Sequence, residues 1–350
     1  MMSNKKVVVM HFERDQYSHL ASTTRKDIRI CVAQYAGFST ADVDVPNVRQ
    51  DLYNSSELNL NLLEGYNPLA PGLDRSTDRH CGLLHNFQLA LINLSGGSAM
   101  VNRCGGFKKQ TLLNSNFVSS RSALVRIGMR LYDSRETFRI VAVRRSGVTF
   151  IHELPSENTQ QNHVLENQYV GHRFRQIMTT TDDPHLVSDF EDHHYGIQSI
   201  QLGKINVLAR SVVDCVTDQI EFEYVELKTH RTRNFGTLPD YGIGWMKSVR
   251  WWLQMTLTGM QRLVVGVRDE QDTLKETIKA SSRSFLPPDF NCKAMMVFLE
   301  DSLEHIERYM SSVPEGSQII FTDGGPNELC ATRADRDYDI FHPSFERLLK

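Results

Sequence analysis

The 350-residue sequence contains no Cys-x-x-Cys pair. Its six cysteines are scattered along the chain, at Cys31, Cys81, Cys104, Cys215, Cys292 and Cys330. Zinc ribbons and zinc fingers take their ligands from closely spaced pairs, so this spacing argues against a structural zinc site. In a chain of this length, dispersed cysteines also fit a reducing compartment better than a disulfide framework.

The sequence also lacks a strong net charge and a long apolar run. Its formal net charge is −3, so any contact with nucleic acid requires a local basic patch rather than an overall field. The absence of an apolar run of about 18 residues argues against a transmembrane helix. Residues Val7 to Met10 are too short for the core of a signal peptide, and we expect a nuclear or cytosolic protein.

Strand-like and helix-like segments are interleaved without strict alternation, which predicts an α+β (mixed α/β) fold in a single domain. A strand hairpin is predicted at residues 138–154, with its turn at Arg145-Ser146-Gly147. A second strand pair is predicted at 204–216 and 220–229. Hydrophobic periodicity predicts helices at 83–94, 163–178, 244–258 and 293–311, and strands at 262–269 and 317–322.

The stretch YVELKT, residues 224–229, places two charged residues in a predicted strand. Alternate side chains of a strand share a face, so Glu226 and Lys228 point the same way. Asp214 ends the preceding predicted strand, and a hairpin would bring it close to Glu226. Two carboxylates can hold a divalent cation that activates a water, and a lysine can orient that water. The pattern therefore favours a metal-dependent nuclease core, and the alternative is a cross-strand salt bridge on a half-exposed face.

Two further motifs follow in order, RWWLQ (residues 250–254) and VVGVRD (264–269). With YVELKT, in this order and at this spacing, they make the sequence resemble the DXO family of RNA decapping and 5′-end exoribonucleases. The resemblance runs from about residue 100 to 280 within a domain taken as 1–350, and residues 1–80 are not recognised.

Three upstream stretches also resemble parts of the DXO family. VVDC (212–215) resembles its Glu-x-Asp strand, and GHRFRQIM (171–178) resembles its Gly-x-x-Phe-Glu helix. NRCGGFKK (102–109) resembles the stretch that carries its phosphate-binding arginine.

The resemblance implies twisted mixed sheets flanked by helices, with a PD-(D/E)xK-type nuclease core. In active members, two divalent metals, Mg or Mn, act on the 5′ end of an RNA. By position, Asp214 and Glu226 match metal ligands, Lys228 matches the catalytic lysine, and Gln254 matches a pocket glutamine. Arg103 matches the arginine that binds phosphate.

Two positions depart from the family pattern. The glutamate of the Gly-x-x-Phe-Glu helix falls on Arg175, and the first acid of Glu-x-Asp falls on Val212. Each change removes a carboxylate, and the first adds a guanidinium that is always charged. We expect Arg175 to pair with Asp214 and Glu226 in the place of the metal, which predicts a protein with no metal cofactor and no catalysis.

Other interpretations keep an active site. A shift of helix register would let another acid serve, such as Glu166 or Glu191. Alternatively, Asp214, Glu226 and the carbonyl of Leu227 hold one metal in a hydrolase with a reduced ligand set.

If the chain is a catalytically degenerate member of the family, its role differs from that of an active nuclease. The resemblance then implies a nuclear germline protein that binds or protects RNA 5′ ends and supports piRNA-source transcription by opposing termination and decay. Its implied protein partners are the heterochromatin reader Rhino and its adaptor Deadlock. The basic runs at 143–147 and 228–233 either follow an RNA backbone or lie in solvated turns. A third interpretation is an interaction scaffold with a closed pocket, against which an open volume in front of Gln254 and Lys228 would argue.

Overall fold

Thirteen strands and eight helices occur in the described part of the chain. The computed structural model describes residues 6–23, 30–39, 59–66, 77–95, 109–135, 137–154, 162–179, 194–216, 223–233, 242–325 and 327–350. The strands are β1 (Val7–His11), β2 (Ile30–Ser39), β3 (Phe117–Ser120), β4 (Arg139–Arg145), β5 (Val148–Glu153), β6 (His194–Leu202), β7 (Ile205–Val212), β8 (Cys215–Val216), β9 (Tyr224–Arg231), β10 (Arg262–Arg268), β11 (Leu274–Ser281), β12 (Gln318–Gly325) and β13 (Glu328–Arg333). The helices are α1 (Arg14–Thr23), α2 (Thr77–Ser95), α3 (Lys109–Leu113), α4 (Arg121–Met129), α5 (Asn162–Met178), α6 (Trp245–Thr256), α7 (Cys292–Ser312) and α8 (Pro343–Leu349).

The strands form two mixed sheets. The nine-stranded sheet has the order β1-β13-β12-β4-β5-β3-β7-β6-β2, and β3 runs parallel to both of its neighbours. The four-stranded sheet has the order β11-β10-β9-β8. In this sheet β9 and β10 are parallel, because α6 crosses over between them. The predicted α+β fold is confirmed.

Helix α7 shows why the sequence predicted its helices well. Apolar residues at helical spacing form one buried stripe, consisting of Met295, Leu299, Leu303, Ile306 and Met310. This stripe belongs to the largest core cluster, and α7 contacts β1, β4 and β7. The predicted bounds of 293–311 therefore differ from the observed helix by one residue at each end.

The predicted hairpin at Ser146-Gly147 is also confirmed. Strands β4 and β5 pair antiparallel, with Arg145 opposite Val148. Ser146 and Gly147 both have positive φ angles, of 51° and 80°. Two consecutive positive φ angles define the mirror-image turn whose twist matches that of the flanking strands.

The strand predicted at 204–216 is wrong as a single element. Strand β7 ends at Val212 in the nine-stranded sheet, and Cys215 and Val216 form β8 in the other sheet. Val213 and Asp214 carry the chain between the two sheets. Both halves are largely buried, so hydrophobicity alone did not reveal the break.

Helices α5 and α6 cover opposite faces of the four-stranded sheet. Val225 of β9 packs with Phe174 of α5, whereas Tyr224 packs with Trp251 of α6. Since side chains alternate along a strand, Glu226 faces the α6 side.

Gly266 in β10 allows α5 to approach the sheet closely. A Cβ at this position would overlap the ring of Phe174, which is fully buried. We expect Gly266→Ala to lower the free energy of unfolding by about 1–3 kcal/mol, measured by urea unfolding, because the ring must move. Gly171→Ala on α5 is the matched control, since a Cβ there meets open space. It should be neutral or stabilise by up to about 1 kcal/mol. Equal effects of the two variants would contradict this packing argument.

The helices of the described residues include none long and apolar enough to cross a membrane.

Candidate functional site at the junction of the two sheets

Glu226 is a buried carboxylate held by two cations. Only 1% of its surface is exposed. Its Oε2 accepts a hydrogen bond from Arg121 Nη1 at 2.9 Å, and its Oε1 lies 2.6 Å from Lys228 Nζ. Arg121 begins α4 directly after β3, and the Ser120 side chain caps that helix by accepting from the Ala123 N–H. The pair of Arg121 and Glu226 therefore joins the two sheets.

Asp214 occupies the link between β7 and β8. Its Oδ2 accepts a hydrogen bond from the Leu227 N–H at 2.8 Å, which ties the link to β9. Its Oδ1 lies 3.5 Å from Arg175 Nη1 on α5. Arg175 thus pairs with Asp214, as the sequence predicted, whereas the ion pairs of Glu226 join it to Arg121 and Lys228.

The pKa values of the two carboxyl groups are shifted in opposite directions. Burial raises the pKa of Glu226, but Arg121 and Lys228 outweigh it, and the pKa falls to about 2. Burial likewise raises the pKa of Asp214, and there Arg175 offsets only part of the increase. The negative charge of Glu226 raises the pKa of Asp214 further. Glu226 is therefore ionised at neutral pH, whereas ionising Asp214 costs free energy.

The side chains at this junction do not fit a two-metal centre. Three cations, Arg121, Arg175 and Lys228, face the two carboxylates Asp214 and Glu226. Divalent magnesium and calcium require about six or more oxygen ligands, with carboxylates supplying the charge. Across the described ranges, no group of three or more His, Cys, Asp or Glu side chains is placed to hold a metal ion. The donor set thus disagrees with the metal centre that the resemblance implies.

The remaining residues predicted for the site are Gln254, Val212 and Arg103. Gln254 lies on α6, and its Oε1 is buried without a hydrogen-bond donor among the described residues. Val212 packs against an apolar cluster that includes Tyr195, its partner across β6 and β7. Arg103 lies outside the described residues.

The position of Glu166 does not support the alternative in which a shift of the α5 register lets another acid replace the missing glutamate. Glu166 precedes Arg175 by nine positions, or about 13 Å along a helix. The charge of Glu166 acts instead on Tyr66: burial is the main cause of the raised pKa of Tyr66, and Glu166 raises this pKa further. The other candidate acid, Glu191, lies outside the described residues.

Sequence reasoning missed Arg121 and Lys247. Lys247 on α6 donates to the Thr229 carbonyl at 3.0 Å and lies 3.2 Å from His230 Nδ1. The only local signal for Arg121 was a helix start after two serines, since its partner Glu226 is 105 positions away. Lys247 carried no signal beyond being a polar residue on an amphipathic helix.

A mixed sheet with Asp214 at one strand and Glu-x-Lys on the next defines the class of PD-(D/E)xK nuclease folds. A family model described as RAI1 like PD-(D/E)XK nuclease matches residues 15–345. The chain belongs to that family.

Curated relatives are similar over part of their length. The chain is 26% identical to decapping nuclease dom-3 of Caenorhabditis elegans over 227 residues, which are 58% of this chain and 56% of dom-3. It is 24% identical to decapping nuclease din1 of Schizosaccharomyces pombe over 268 residues, or 62% of this chain and 74% of din1. The chain thus spans little more than half the length of dom-3.

Solved structures show the same fold. Rai1 of Candida albicans, crystallised with pU5 and Mn²⁺, superposes with a TM-score of 0.72 at 13% identity, covering 98% of this chain and 99% of that one. Rai1 of S. pombe gives a TM-score of 0.67 at 19% identity, covering 94% and 99%. At these identities the likeness concerns the fold.

Proposed function

We propose that this chain is a catalytically inactive member of its family that binds RNA 5′ ends through cationic side chains. The observation that carries the proposal is the ion pair of Arg175 with Asp214, at a position where the DXO family has a glutamate. An arginine there repels a divalent cation, and the described residues include no group of three or more His, Cys, Asp or Glu side chains placed to hold one.

The same charges favour an anionic ligand. Among the described residues at the junction, three cations (Arg121, Arg175 and Lys228) outnumber the two carboxyl groups of Asp214 and Glu226. A 5′ phosphate is an anion that arginine and lysine bind directly. The buried Oε1 of Gln254, which has no donor among the described residues, suits a ribose hydroxyl or a base N–H.

For the cellular role of this chain, we take the catalytically degenerate members of the family as the guide. We propose a nuclear germline protein of the kind represented by Cutoff, which supports piRNA-source transcription by opposing termination and decay. Its proposed protein partners are Rhino and Deadlock. Co-purification of the tagged chain from nuclear extract tests this step, and recovery of neither partner would contradict it.

Purified protein tests the biochemical proposal. RNAs with a 5′ triphosphate, a 5′ monophosphate or an unmethylated cap are incubated with Mg²⁺ or Mn²⁺, and both turnover and binding are measured. We expect binding that persists in EDTA and no turnover.

The active alternative makes the opposite prediction. Turnover that disappears in Asp214→Ala would establish a metal-dependent hydrolase and reject the inactive protein. Absence of both turnover and RNA binding would instead favour the scaffold with a closed pocket.

A further inference from the structure

Lys247 is a partly buried ammonium without a carboxylate partner in the described part of the chain. Its contacts are the Thr229 carbonyl at 3.0 Å, His230 Nδ1 at 3.2 Å and the ring of Trp251, whose centroid is 4.9 Å away. An ammonium has three donors and is strongly hydrated, so burial without a counter-ion is unfavourable.

The cations around Lys247 share their carboxylates with other cations. Lys228 shares Glu226 with Arg121, and Arg268 shares Asp272 with Arg231. Lys247 lies close enough to both cations for their charges to act on it. Burial, followed by the charges of Arg268 and Lys228, lowers the pKa of Lys247 to about 8. Lys228, Lys247 and Arg268 therefore converge in a region with more cations than carboxylates.

The geometry of β9 places Lys247 beyond the junction of Arg121, Arg175 and Lys228, where we propose that the 5′ phosphate binds. Glu226, Lys228 and His230 alternate along the strand, so they share its α6 face. At about 3.3 Å per residue, His230 lies roughly 13 Å from Glu226 along the strand. Lys247 contacts the His230 end of this row, on the side away from Asp214.

We propose that Lys247 binds a backbone phosphate of the RNA, downstream of the 5′ phosphate held at Arg121, Arg175 and Lys228. This inference rests on the proposed function, because it takes RNA as the ligand. A phosphate at Lys247 supplies the missing negative charge between Lys228 and Arg268. Trp251 is 6% exposed and is covered by Lys247, so this position holds phosphate rather than a stacked base.

Ligand length tests the proposal. Binding of uridine 5′-monophosphate and of a 5′-phosphorylated tetrauridylate is measured for the wild type, Lys247→Gln and Lys247→Arg over a range of salt. We expect Lys247→Gln to weaken tetranucleotide binding by about tenfold to a hundredfold and to leave mononucleotide binding unchanged. Its slope of log affinity against log salt should fall by about 0.7, the value for one phosphate contact on a single strand. Lys247→Arg should retain tetranucleotide binding.

Lys279→Gln is the matched control, since Lys279 is exposed on β11 of the same sheet. It should leave both affinities unchanged. Equal weakening of both ligands by Lys247→Gln, or no weakening of either, would overturn the role of Lys247 while RNA binding stands. Binding of neither ligand by the wild type would reject the proposed function and this inference with it.

Discussion

Replacement of Glu226 by alanine should lower the free energy of unfolding by about 3–5 kcal/mol, one of the largest effects of a single substitution in this chain. The reason is that Glu226 is the buried counter-ion of Arg121, whose side chain is 11% exposed, and of Lys228. Removing one member of a buried pair leaves the other charge buried and uncompensated. The same contact connects the two sheets, so its loss weakens their attachment. Urea unfolding measures the change.

Glu223→Ala provides the control for this result. Glu223 lies just before β9 and pairs with Arg262, but both side chains are substantially exposed, at 33% and 56%. An exposed pair contributes about 0–1 kcal/mol, so this variant should differ little from the wild type. Similar losses for Glu226→Ala and Glu223→Ala would show that burial of the Glu226 ion pair is not what stabilises the fold.

Acid offers a second test of the Glu226 ion pair. The pKa of Glu226 is lowered from 4.5 to about 2, so its ionised form is stabilised in the folded state. Its contribution is complete above about pH 4.5 and is lost as the pH falls through about 2. The difference in stability between the wild type and Glu226→Gln should shrink over this interval. Comparing the two proteins in an Asp214→Asn background removes the opposite pH dependence of Asp214, whose pKa the charge of Glu226 helps to raise.

Local pattern predicted the regular elements of the fold well. The apolar stripe of α7 and the turn at Ser146-Gly147 depend on residues within a few positions of each other, which the sequence displays directly. The break at Val213-Asp214, in contrast, does not depend on neighbouring residues in the sequence. The break is set by which sheet each half of the segment joins, and both halves are largely buried.

The candidate site was predicted only in part, for the same reason. Asp214, Glu226 and Lys228 were found because they lie near one another in sequence, and the structure brings them together. Arg121 was missed because only the packing of the two sheets brings it to Glu226, across 105 positions. The pairing of Arg175 with Asp214 was predictable only because the family resemblance aligned α5 with the site.

Family membership is compatible in physical terms with the proposed loss of catalysis. The fold depends on apolar clusters and on ion pairs between sheets, and these persist when a carboxylate becomes an arginine. A metal centre depends on the local sum of charges, and two substitutions are enough to change it. The reverse substitution should therefore restore metal affinity without rebuilding the fold.

Arg175→Glu should convert the junction into a metal-binding site. The substitution removes the cation that lies 3.5 Å from Asp214 and replaces it with a carboxylate. Each unit charge about 4 Å from a metal charge contributes about 4 kcal/mol at an effective dielectric of about 20. Reversing the sign should therefore raise Mn²⁺ affinity by at least about a thousandfold. Isothermal titration calorimetry with Mn²⁺ gives this value without reference to activity.

Two comparisons make the Arg175 result specific. Arg175→Gln removes the positive charge but adds no ligand, so it should gain much less affinity than Arg175→Glu. Adding Val212→Glu tests the second position at which the family has an acid. Because Val212 packs against an apolar cluster, a glutamate at this position must turn away from that cluster to reach Asp214. RNA turnover that appears in Arg175→Glu or in the double variant, and is absent from the wild type, would trace the loss of catalysis to these positions. Tight Mn²⁺ binding by the wild type would instead show that Arg175 does not exclude the metal, and the inactive assignment would be wrong.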